Sequence, residues 1–211
     1  MRPSAAVGRA AALLALALLM PACTPEPAAI STPENEAQSA SENAAPLPRV
    51  PYAVEIRGVE DPALRQLLEG VSETRRLIDR PPASLTRLRR RAEDDRTRLQ
   101  QALRSEGYYA GTIELSVDAT AEPVQIVFRV EPGPRYRFRE VTIEVSPPDA
   151  DLELPSRREL GIAPGEPAVA QTILDAEARL VDLARARGHA LAEAGERQAI
   201  VDHDADAMDL T

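Results

Sequence analysis

A chain of 211 residues with a net charge of −9 is a poor nucleic-acid ligand, because that binding is driven by basic surface that releases counterions from phosphates. One cysteine excludes an intramolecular disulfide, and with no Trp and 3% aromatics the cores must be built from Leu, Val, Ile and Ala. Every one of the 25 basic residues is arginine, a bias that, with 19 prolines, carries no functional reading of its own.

The N-terminus reads as an export signal. Arg2 and Arg9 precede an uninterrupted apolar stretch, Ala10 to Met20. It is too short for a bilayer span, which needs about 20 residues, but it fits the core of a signal peptide. Pro21-Ala22-Cys23 follows, a small residue and then Cys, which resembles the lipobox of bacterial lipoproteins, with Met20 and Pro21 departing from it. Cys23 is therefore the candidate lipidation site, and residues 1–23 the signal. Removing them leaves about 185 residues, enough for one or two small domains. Residues 24–51 are rich in Pro, Ala, Ser, Glu and Asn and bury too little to offset chain entropy, so they read as a disordered tether.

From Tyr52 the pattern changes. Val54 and Ile56 alternate with Glu55 and Arg57, a short strand with one wet face. Asp61 as N-cap and Pro62 at the first helical position open a helix carrying Leu64, Leu67, Leu68 and Val71 on one stripe. Pro81-Pro82 interrupts the chain, and Ser84 caps a longer helix whose inward face is Leu85, Leu88, Ala92, Leu99, Ala102 and Leu103. Gly107 closes it by taking the left-handed conformation. Ile113, Leu115 and Val117 alternate with Glu114, Ser116 and Asp118. Val124, Ile126, Phe128 and Val130 form the next alternation. The short link between these two runs makes them an antiparallel hairpin, ended by Pro132-Gly133-Pro134. The order is strand, helix, helix, strand, strand, and the single apolar face of each strand puts both helices on one side of a three-stranded sheet.

The order then starts again. Val141, Ile143 and Val145 predict a strand, and LGIAPGEP (160–167) a loop. A helix carries Val169, Ile173, Ala176, Leu180, Leu183 and Ala184, and Gly188 stops it. A strand is expected near Arg197 to Asp202, a polar turn after it, and a last strand from about Met208.

LRSEGYYAG (103–111), VQIVFRVEPGPRYRF (124–138) and VTIEV (141–145) resemble the polypeptide-transport-associated (POTRA) domain of the outer-membrane assembly factors, the BamA and TamA family, with TamA as the nearer branch. The second unit supports the likeness with LGIAPGEP, RARGHA (185–190) and AIVDHDADAMDLT (199–211). The resemblance implies an α+β fold of tandem POTRA-like units over 52–138 and 139–211, each β-α-α-β-β. It also implies a non-enzymatic periplasmic scaffold for outer-membrane protein assembly or export, attached to the outer membrane. Its partners would be outer-membrane protein clients or other envelope assembly proteins, and no nucleic acid. In the family the second strand lies at a sheet edge, which here is Thr112, Ile113, Glu114, Leu115, Ser116, Val117 and Asp118, and Arg197 to Asp202 in the second unit. That edge is the expected client-binding strand, by β-augmentation, and proline at an open-face position such as Ser116 would test it. Gly107, Gly133 and Gly188 are structural positions.

The short final strand and the missing amphipathic barrel strands suggest an incomplete second domain of a longer barrel protein. The alternatives are a stand-alone outer-membrane lipoprotein adaptor and a fragment of a two-partner secretion transporter. Attachment would run through a lipid anchor or a C-terminal barrel absent from the chain.

Other clusters read as structural. Arg89-Arg90-Arg91 could meet an anionic lipid or a partner, but Glu93, Asp94 and Asp95 beside it suggest a solvated helix face. Asp202, Asp204, Asp206 and Asp209 with His203 lack the Gly and distal Glu of a calcium loop and read as a hairpin turn. Tyr108 and Tyr109 suggest one ring under the sheet and one at its margin, and His189 the same packing place in the second unit. His189 and His203 lack a nucleophile motif, and no catalytic residue, metal site or cofactor is expected.

The Cys23 reading has a direct test. Cells fed a fatty-acid analogue should label the protein, and Cys23→Ala should abolish the label. Labelling that survives the substitution rules out acylation at this position.

Overall fold

The computed structural model describes residues 48–147 and 152–211. Cys23 and most of the 24–51 segment lie outside them. The last residues of that segment are tied to the fold: Val50 packs on the first core and its N–H donates to Pro82 O at 2.9 Å.

The first repeat contains β1 (Tyr52–Arg57), α1 (Pro62–Val71), α2 (Glu73–Arg76), α3 (Leu85–Ser105), β2 (Thr112–Asp118) and β3 (Val124–Glu131). Its sheet runs β1-β3-β2, with β1 parallel and β2 antiparallel to β3. The caps are those the sequence indicates. Asp61 Oδ1 accepts from Ala63 N at 2.9 Å, and Ser84 Oγ from Arg87 N at 3.3 Å. One element escaped the sequence reading: the single turn α2, capped by Ser72, between α1 and Pro81-Pro82. Leu64, Leu68, Leu88, Leu99 and Leu103 close the core over Ile126, Phe128 and Val130. Full burial of each such side chain contributes roughly 1.5–3 kcal/mol.

A polar network pins the helical layer. Asp95 lies on the stripe of α3 that also carries Leu88, Ala92, Leu99 and Leu103, and it is completely buried. Its carboxylate accepts from Ser72 Oγ at 2.6 Å, Glu73 N at 2.8 Å and Thr74 N at 3.1 Å. It thus caps α2 from another helix, with Arg98 Nη1 at 3.4 Å on its outer side. Tyr52 Oη donates to Thr74 O at 2.8 Å and receives Arg91 Nη1 at 3.2 Å, which extends the network to β1. The expectation of a solvated Arg89–Asp95 face is corrected here. Arg89, Arg90, Glu93 and Asp94 are exposed, but Asp95 is interior and Arg91 is half-buried.

The second repeat contains β4 (Arg137–Val141), α4 (Ala170–Ala186), β5 (Ala199–Asp202) and β6 (Ala207–Leu210), with strand order β4-β6-β5. Parallel β4–β6 and antiparallel β5–β6 repeat the topology of the first sheet. Two boundaries differ from expectation. The first strand begins at Arg137, not at Val141. An irregularity between Phe138 and Glu140 resets the alternation, so Phe138 and Val141 both face the core. In the place of α1 and α2 stands one turn at 157–161. A capping box closes it: Glu159 Oε2 accepts from Ser156 N at 2.8 Å, and Ser156 Oγ accepts from Glu159 N at 3.3 Å.

The repeats belong to one compact unit, Pro46–Thr211. They meet where α3 ends. Gly107 closes that helix with φ +91°, and its carbonyl accepts from Tyr136 N at 2.9 Å. Tyr108 packs on the first core, while Tyr109 leaves it. The Tyr109 ring meets Tyr136 edge-on at 5.4 Å, and its hydroxyl donates to Ala168 O at 3.1 Å. Arg135 donates to Glu106 O at 2.8 Å and lies over the Tyr108 ring. The expected packing of both tyrosines at one sheet is therefore corrected: one serves each repeat. His189, at the place matching Tyr108, is exposed. Gly133 and Gly188 also have positive φ, +68° and +101°.

Two outcomes follow from these contacts. Asp95→Ala strands three donors, two of them buried, and should lower stability by about 3 kcal/mol in a urea melt, while Asp94→Ala stays within about 0.5 kcal/mol. An equal effect of the two would remove Asp95 from its capping role. Gly107→Val should cost about 1 kcal/mol or more from the left-handed backbone alone. Its Cβ would also come within 3.2 Å of Ala168 O, so the amide signals of both repeats should shift.

Candidate functional site

Strand β2 is an outer strand of its sheet, and its seven residues are the ones the sequence singled out. Ile113 is buried, Leu115 and Val117 are half-buried, and Thr112, Glu114, Ser116 and Asp118 are exposed. The second repeat presents β5 in the same way.

Which backbone groups are free on β2 follows from its neighbour. Val124 N donates toward β1, to Pro51 O at 3.1 Å. Backbone groups alternate in direction along a strand, so Val124, Ile126, Phe128 and Val130 serve β1, and Gln125, Val127, Arg129 and Glu131 serve β2. In register, these last four face Asp118, Ser116, Glu114 and Thr112. The unpaired N–H and C=O groups of the edge therefore belong to Ile113, Leu115 and Val117. Ser116 donates inward to β3, so Ser116→Pro would break the ladder and does not probe the open edge.

Beside this edge runs a shallow groove of about 490 Å³ between β2 and α3, lined by Leu115, Val117, Arg89, Arg90 and Glu93. Gln100 Nε2 donates to Gly111 O at 2.6 Å, which fixes the later part of α3 at the start of β2. Arg89 and Arg90 consequently stand toward the Val117 end. Glu93 is engaged by Arg96 at 2.5 Å. No sequence signal placed Arg89 and Arg90 at the groove, because that requires knowing how α3 crosses β2. A larger hollow, about 830 Å³, lies in the second repeat between α4 and the 141–147 segment.

The acidic run of the second repeat forms the β5–β6 turn and its flanks. Asp202 Oδ1 accepts from Asp204 N and Ala205 N, each at 3.1 Å. Arg139 reaches across the sheet to Asp202 at 2.7 Å and chelates Asp209 with two nitrogens. Hydrogen bonds from Arg139 hold both carboxyls below their ordinary range. His203 Nδ1 meets the Tyr136 hydroxyl at 2.8 Å. Among the described residues no group of His, Cys, Asp and Glu is arranged to hold a metal ion, and no helix is long and apolar enough to cross a membrane.

Residues 53–132 match the family model described as POTRA domain, TamA domain 1. The first repeat is therefore similar to a POTRA domain, by a match that covers less than half of the chain. The second repeat, with its matching strand order, is POTRA-like. Distant likenesses to solved structures accompany the match. POTRA1-2 of the periplasmic domain of Omp85 from Anabaena is 20% identical, with TM-score 0.41, over 77% of this chain and 92% of that one. The N-terminal domain of Omp85 from Thermosynechococcus elongatus is 21% identical, with TM-score 0.41, over 74% of this chain and 59% of that one. BamA POTRA3-5 of Haemophilus influenzae is 18% identical, with TM-score 0.39, over 77% and 59%. This chain thus spans about three fifths of the last two. No curated protein matches it. The likeness to the POTRA family rests on the match of residues 53–132.

The Arg139 cluster gives a pH dependence with a defined sign. Carboxyls whose folded pKa is depressed stabilise the fold above their unfolded value of about 4, and that contribution is lost as pH falls through the folded values. Taking the protein from about pH 6 to about pH 3 should lower the melting temperature more in the wild type than in Arg139→Gln. Identical shifts would show that the cluster does not contribute.

Proposed function

We propose that this protein is a periplasmic scaffold that receives extended segments of outer-membrane protein clients on the free edge of β2. The carrying observation is the outward backbone of Ile113, Leu115 and Val117 beside a shallow groove lined by Leu115 and Val117, where side chains of an added strand would lie. Backbone pairing tolerates many sequences, which suits a factor serving many clients. The choice of β2 over the other outer strand, β1, rests on that groove. Attachment to the outer membrane, through acylated Cys23 or through a barrel in a longer protein, belongs to the same reading.

Proline at an outward donor tests it. Val117→Pro removes one free N–H near the strand end, while Val117→Ala removes only apolar surface. Both must keep the wild-type circular dichroism. The proline variant should bind extended outer-membrane-protein peptides several-fold more weakly than the alanine variant, about 1 kcal/mol for the lost hydrogen bond, since both lose the same apolar surface from the groove. Equal binding by both variants would move the site away from this edge.

A further inference from the structure

We propose that the groove beside β2 selects among extended segments by charge: it favours a carboxylate on the apolar, helix-facing side of the added strand and disfavours one on the opposite side. This rests on β2 being the docking edge. The chain carries a net charge of −9, yet at the groove the charge is locally reversed. Arg89 and Arg90 are exposed, line the groove, and make no ion pair among the described residues. Glu93, the acid that lines the groove with them, is taken by Arg96, and the exposed Asp94 on the same helix makes no ion pair with either. At this spot two exposed guanidinium groups face solvent without a salt bridge among the described residues.

The strand supplies the other half of the argument. An added strand lies about 4.8 Å from β2, and its side chains alternate between the two faces of the sheet. Those opposite Ile113, Leu115 and Val117 point toward α3. Apolar residues there would cover the half-exposed Leu115 and Val117, and a carboxylate at the Val117 end would reach Arg89 and Arg90. Side chains on the other face run beside Glu114, Ser116 and Asp118, so a carboxylate there meets two of its own sign first, with Arg129 one strand further in, opposite Glu114. With acidic protein around it, the groove thus reads which face of an incoming strand bears the acid. The rest of the acidic surface is screened beyond about 8 Å at physiological salt.

Three extended peptides of the same length test the selection on the full chain. All alternate Val and Thr. The first has Glu on the Val face, the second has Glu on the Thr face, and the third has Gln on the Val face. The first should bind about threefold to tenfold tighter than the third, as expected for one or two partly exposed charge pairs, and the second more weakly than the third. Arg89→Gln with Arg90→Gln should bring the first peptide down to the third, and raised salt should do the same. Equal binding of the first and third, with both still weakened by Val117→Pro, overturns the charge selection and leaves docking at the edge standing. Binding indifferent to Val117→Pro overturns docking at the edge, and the selection with it. A third arm uses phosphatidylglycerol vesicles. Vesicle binding lost in the double variant, without any preference among the peptides, would assign the two arginines to a lipid surface and overturn the proposal.

Discussion

The placement of the first repeat's helical layer depends on one buried carboxylate. Asp95 replaces the solvent that the first turn of α2 would otherwise need, and it does so from a neighbouring helix. A buried ionised group is tolerated only when its hydrogen bonds are made, and here Ser72, Glu73 and Thr74 make them while Arg98 offsets the charge. Because Thr74 also receives Tyr52, the same few atoms join α3, α2 and β1. With the α1–α2 segment held on the β1 side, α3 is left to cross β2. That crossing is what makes a groove there, and what sets Arg89 and Arg90 along its wall.

The second constraint is the joint. Gly107 belongs at once to the end of α3 and to the start of the next repeat, through its carbonyl and Tyr136 N. Tyr109 and Arg135 cross the joint in opposite directions, one into the second core and one back to Glu106 and Tyr108. Polar and aromatic contacts therefore accompany the backbone bond. The joint restricts rotation between repeats in a way that a bare Pro-Gly-Pro link would not.

Much of the fold was legible because its signals are local. The alternation of β2 and β3, the caps Asp61 and Ser84, and the left-handed glycines are each written within a few residues. What was missed depends on distant partners. Asp95 sits on the apolar stripe by spacing, but its polarity argued for water, and its true partners lie more than twenty residues away at Ser72 to Thr74. The start of β4 was missed because the irregularity after Phe138 breaks the period that a sequence reading relies on. The β2 edge itself was readable as a strand, but the direction of its free N–H groups was not. That is set by how β3 is shared with β1.

This sharing of β3 has an evolutionary consequence. The edge residues whose backbone is free are those whose side chains are committed to the core or the groove, while the most exposed side chains, Glu114, Ser116 and Asp118, sit on the backbone groups already used. Substitutions that accumulate on the visible face leave the open hydrogen-bonding groups unchanged. Short of proline, no single codon change removes a backbone N–H. The edge is thus hidden from ordinary genetic drift, and two homologues that look unlike each other on the surface could present the same backbone template.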